Sequence, residues 1–66
     1  MRIFINDFEE EVHNGCTVDE AIKRWEENDV NLIVELNHRF VHPDEYSSIR
    51  LREGDRLELI NPAFGG

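Results

Sequence analysis

The sequence predicts an α+β roll in which one helix packs on one face of a small sheet. Three observations carry that expectation. One segment combines a helix-capping signature with helical periodicity, five short segments read as strands, and the first and last elements are both strands. In a compact roll the simplest arrangement sets those two end strands side by side.

The first strand is Arg2-Ile3-Phe4-Ile5-Asn6, short, β-branched and aromatic. Asn6-Asp7 is a turn signal, and Phe8-Glu9-Glu10-Glu11-Val12-His13 returns as the second strand of a hairpin. Glu10 shares a side with Phe8 and Val12, which an edge strand tolerates because charge there discourages edge-to-edge pairing. Asn14-Gly15 then breaks the chain, and Thr17 with Glu20 forms the T-x-x-E pattern of a capping box. Val18, Ile22 and Trp25, with Ala21 beside them, give a helix one apolar face running to about Glu27. Asp19 and Glu20 in its first turn complement the helix dipole.

Asn28-Asp29 ends the helix, and Asn31 to Leu36 reads as a buried strand with Leu32, Val34 and Leu36 on one face. Asn37-His38 is a turn before a short strand at Arg39-Phe40-Val41. Pro43-Asp44-Glu45-Tyr46 suits a single helical turn, since Pro is accommodated at a first helical position. Glu53-Gly54-Asp55 is a further turn, and Arg56-Leu57-Glu58-Leu59-Ile60 alternates as the last strand. Pro62 ends the ladder because it has no N–H to donate. These signals set a domain over residues 1–61 and a flexible tail over 62–66.

Composition narrows the function. Sixty-six residues make one domain that buries only about 60% of its unfolded surface, so its core has to be efficient. The single cysteine, Cys16, closes no internal disulfide. The net charge of −8 disfavours nucleic acid, whose phosphates are met by clustered Lys and Arg, and fits a basic protein partner. No stretch is long and apolar enough to span a bilayer and no signal peptide is legible, so the expected compartment is the cytoplasm. His13, His38, His42 and Cys16 are nominal zinc ligands, but they lack the tight paired spacing of a zinc site. Ser47, Ser48 and the histidines form no hydrolase motif, and no bound cofactor is expected.

Taken together, Arg2-Ile3-Phe4-Ile5-Asn6-Asp7, Thr17-Val18-Asp19-Glu20, Val34-Glu35-Leu36-Asn37, Pro43-Asp44-Glu45-Tyr46 and Gly54-Asp55-Arg56-Leu57-Glu58-Leu59 resemble the ThiS family. These are the sulfur carriers of thiamine biosynthesis. The resemblance covers the whole chain and reaches the final Gly65-Gly66. It implies a ubiquitin-like β-grasp fold whose mixed sheet has the order 2-1-5-3-4. It also implies that a ThiF-type adenylyltransferase adenylates the Gly66 carboxylate, that a thiocarboxylate follows, and that a thiazole synthase receives the sulfur. The chain would then be a carrier and not an enzyme. Related carriers serve molybdopterin or sulfur amino acids, and a protein modifier or a non-covalent binding module would share the fold.

The chemistry suits these residues. A carboxylate is a poor electrophile until adenylation supplies a leaving group, and the partner provides phosphate binding and nucleophile activation. Gly66 adds no side chain to crowd a narrow channel, and Gly65 grants the backbone conformations closed to other residues. Phe64 is the one bulky group that could anchor such a tail in a partner. In the implied strand order Phe4, Ile33 and Ile60 fall on neighbouring strands of the face opposite the helix, an expected docking surface for the adenylyltransferase.

Overall fold

The computed structural model describes residues 1–25 and 31–62. Strand β1 (Arg2–Ile5) and strand β2 (Phe8–Glu11) form the first hairpin, helix α1 (Val18–Arg24) follows, and β3 (Ile33–Leu36) and β4 (Arg39–Val41) form the second hairpin. A 3-10 turn at Pro43–Glu45 and strand β5 (Arg56–Ile60) complete the chain. The sheet order is β2-β1-β5-β3-β4, with β1 and β5 parallel and the other pairs antiparallel. The expected β-grasp arrangement is therefore present, with the two end strands as neighbours. The expected last turn of the helix through Glu27, and its stop at Asn28-Asp29, lie outside the described residues.

Turn chemistry fixes both hairpins. Asn6 and Asp7 have φ of 50° and 70°, and Asn37 and His38 have 51° and 68°. Positive φ at both central residues of a two-residue loop is the type I′ signature, whose twist matches that of the flanking strands. Asn and Asp tolerate this region better than other side chains. Gly54 takes φ +84° in the turn before β5, where a Cβ would be strained.

The helix N-terminus is fully satisfied. Thr17 Oγ1 accepts from the Glu20 N–H, and Glu20 Oε1 accepts from the Thr17 N–H, closing the capping box. The Val18 N–H donates to the Ile49 carbonyl and the Asp19 N–H to the Tyr46 carbonyl. With the Ala21 N–H on the Thr17 carbonyl, the first four helical donors all have partners. The capping bond from the Thr17 N–H, followed by that from its hydroxyl, holds the Glu20 carboxyl below its ordinary range.

The core lies between α1 and one sheet face. Ile3, Ile5, Val34, Leu57 and Leu59 come from the sheet and Val18, Ala21 and Ile22 from the helix, all buried. The loop before α1 contributes Cys16 and the connection from β4 to β5 contributes Leu51, 2% and 4% exposed. Phe8, on the edge strand, keeps most of its surface in solvent but sets its ring 6.1 Å from that of Trp25. The mixed pattern of β2 is thus resolved: Phe8 leans over the helix C-terminus while Glu9 and Glu11 face away. Among the described residues no buried side-chain polar atom lacks a partner.

Candidate functional site

Strand β5 leads toward the C-terminus, and two asparagines pin it from both sides. Asn6, at the tip of the first hairpin, accepts from the Leu59 N–H at 2.8 Å and donates to the Leu59 carbonyl at 3.3 Å. Its side chain thereby continues the parallel pairing of β1 with β5 past the end of β1. Asn37, in the second hairpin, accepts from the Arg56 N–H at 3.0 Å and donates to Asp55 Oδ1 at 3.1 Å. The same turn residues that set the hairpins therefore fix the first and fourth residues of β5. Gly65, Gly66 and Phe64, the expected acyl-bearing end and its anchor, lie outside the described residues.

The face of the sheet opposite α1 carries the other expected residues. Ile33 and Ile60 are directly opposite one another on β3 and β5, with 37% and 39% of their surface exposed. Phe4 lies on the same face but is paired with Arg56, four residues along β5 from Ile60. At the rise of an extended strand that is about 13 Å. The Arg56 guanidinium covers its ring, with Cζ 4.5 Å from the centroid, and reaches on to Asp7 Oδ1 at 3.4 Å. The three residues thus share a face without forming one continuous apolar row.

Phe40 is a residue that alternation alone did not single out. It is directly opposite Glu35 on the same face, 57% exposed, with its ring edge-on to His42 at 4.9 Å. A three-residue strand offers too little periodicity to show which side faces out, and the pairing of Val41 with buried Val34 decides it. Ile33, Ile60 and Phe40 therefore make the apolar part of the face, and Glu35 and Glu58 stand between them as another directly opposed pair.

No triad or buried acid–base constellation appears among the described residues. Glu35, His38 and Glu58 bring ligand atoms within 4.8 Å of one another and are the described side chains that could share a cation. They are solvent-facing, and His38 Nδ1 lies 3.4 Å from Glu58 Oε1. His13 instead faces Glu20 at 3.4 Å, and His42 packs on Phe40. Cys16 is buried, its thiol pushed up chiefly by loss of water and further by the Glu20 charge. The described histidines and Cys16 do not form a zinc centre.

The arrangement is that of a small scaffold with a partly apolar open sheet face and an anchored last strand. The sequence model of the ThiS family matches residues 1–66. The crystal structure of thiamine biosynthesis protein ThiS from Geobacter metallireducens superposes with a TM-score of 0.80. It is 19% identical, and the match covers 91% of each chain. No curated protein sequence matches. No described helix is long and apolar enough to cross a membrane. With the family match running over all 66 residues and the β-grasp topology in place, the chain belongs to the ThiS family of small sulfur-carrier proteins.

Proposed function

We propose that the chain carries sulfur as a thiocarboxylate on Gly66 and delivers it to thiazole synthesis in thiamine biosynthesis. The observation that supports this most is the family match through Gly65-Gly66, joined to a fold that pins β5 at Arg56 and Leu59. A carboxylate oxygen of Gly66 attacks the α-phosphorus of ATP, and pyrophosphate leaves. A sulfide or persulfide sulfur then attacks the acyl carbon and AMP departs. Where the donor is a persulfide, the product is an acyl disulfide, and a second thiol reduces it to the thiocarboxylate.

The chain contributes an acyl group and a handle, and a ThiF-type adenylyltransferase contributes the catalytic groups. Ile33, Ile60 and Phe40 form the apolar part of the handle, with Phe4 beneath Arg56 at its margin. Intact-mass measurement after incubation with the adenylyltransferase, ATP and a sulfur donor tests the assignment. One oxygen should be exchanged for sulfur, and a chain lacking Gly66, or extended beyond it, should remain unchanged. Sulfur uptake by the extended chain would overturn the assignment. Supplying the charged carrier to a thiazole synthase then tests the acceptor, with loss of the thiocarboxylate as the readout.

A further inference from the structure

Charge is handled differently on the two halves of the open face. Toward β2 the charges are paired internally. Arg2 lies 3.6 Å from Glu9, the terminal amine 3.7 Å from Glu11, and Arg56 reaches Asp7. Toward β3, Glu35 and Glu58 are directly opposite residues of an antiparallel pair, where like charges are destabilising. Among the described residues no Lys or Arg forms an ion pair with either carboxylate, and His38 is the neighbour that meets Glu58. Apolar groups bracket the pair. Ile33 and Ile60 are the next outward-facing residues along both strands, and Phe40 is opposite Glu35 on β4.

We infer that the Glu35–Glu58 pair seats an arginine of the docking partner, whose guanidinium bridges both carboxylates while adjoining apolar groups cover Ile33, Ile60 and Phe40. This rests on the open-face reading above and names the chemistry that face selects. Docking takes water from both carboxylates, and such groups resist burial unless a cation replaces that water. A guanidinium presents five N–H donors in one plane, so it can meet two carboxylates at once and lay its face beside the Phe40 ring. An ammonium is compact, strongly hydrated and without a face to stack. An apolar partner surface lacking the cation is rejected by the same pair, so the seat gives specificity as well as attraction.

Surface plasmon resonance of the full chain against its ThiF-type adenylyltransferase tests this. Glu35→Gln and Glu58→Gln, alone and combined, are compared with Asp44→Asn, exposed in the 3-10 turn and off the sheet. The combined variant should dissociate at least about ten times faster, because short charge-assisted bonds act on the dissociation rate. Asp44→Asn should change the association rate by less than about two-fold. The Gln variants keep shape and remove repulsion, so their melting temperatures should equal or exceed that of the parent chain. Phenylglyoxal, which modifies arginine, should spare one partner arginine in the complex with the parent chain and not with the combined variant. Unchanged dissociation in the combined variant, or no protected arginine, overturns the seat. If Phe40→Ala still weakens binding, the open-face reading survives that result; if it does not, both fall.

Discussion

Phe40→Ala tests whether the open face contributes to docking. Burying a Phe side chain completely is worth roughly 1.5–3 kcal/mol, and 57% of Phe40 remains exposed in the free protein. Covering that remainder gives roughly 0.9–1.7 kcal/mol, or about 5- to 20-fold in affinity. Ile33 and Ile60, at 37% and 39%, each yield only about 0.6–1.2 kcal/mol by the same reasoning, so Phe40 is the better single probe. Its mostly exposed ring also means that truncation removes little from the fold. Isothermal titration calorimetry with the adenylyltransferase is the assay, with thermal melts run alongside. A dissociation constant within about two-fold of the parent chain, for a variant that melts normally, would refute the docking role.

Asn6→Ala removes both side-chain bonds to Leu59 and places a less tolerant residue at φ 50°. Stability should fall by roughly 2 kcal/mol and exchange of the Leu59 amide should accelerate, whereas unchanged exchange would show that the clamp is idle. Glu20 contributes pH-linked stability. Its folded carboxyl is depressed by the capping bonds, so that contribution is present above the unfolded pKa and is lost as pH falls through the folded value. Thermal melts taken from neutral pH to below the carboxylate range should therefore fall more steeply for the parent chain than for Glu20→Gln, and parallel curves would refute the linkage. Phe64→Ala should slow thiocarboxylate formation and leave the melting temperature unaltered; a lower melting temperature with normal transfer would overturn its anchoring role.

What could be read in the chain follows from the range of each interaction. Thr17 with Glu20, Asn6 with Asp7, and Asn37 with His38 act within four residues, so their composition alone announces a helix start and two turns. Alternation along β5 separates Leu57 and Leu59 from Glu58 and Ile60 for the same reason. Register is different, because it depends on which residues meet across strands far apart in sequence. Alternation puts Phe4 and Ile60 on one face but cannot place Phe4 beside Arg56 and well away from Ile60. Nor can it show that Glu35 meets Glu58, or that Asn6 reaches a residue 53 positions away. Phe4, Ile33 and Ile60 were legible as residues of the open face, whereas Phe40 and the arrangement of that face emerged only with the sheet.

The sulfur content of the chain gives one more test of where the transferred sulfur resides. Met1 is a thioether, and Cys16 is the single thiol that could hold sulfur as a persulfide. Cys16 is 2% exposed, and burial pushes its thiol above the ordinary range, so the nucleophilic thiolate is disfavoured at neutral pH. Its S–H donates to the Thr17 carbonyl at 3.5 Å, and the Arg24 charge offsets only part of the upward push from burial and Glu20. Native protein should therefore react slowly with iodoacetamide and rapidly once unfolded in urea. Sulfur loaded through the adenylyltransferase should withstand dithiothreitol, which strips a persulfide but leaves a thiocarboxylate. Cys16→Ala removes the alternative outright and should still load; Cys16→Val provides a second replacement if the cavity left by Ala destabilises the fold. Loss of the loaded sulfur on reduction, or failure of folded Cys16 variants to load, would place the sulfur on the side chain and overturn the assignment to Gly66.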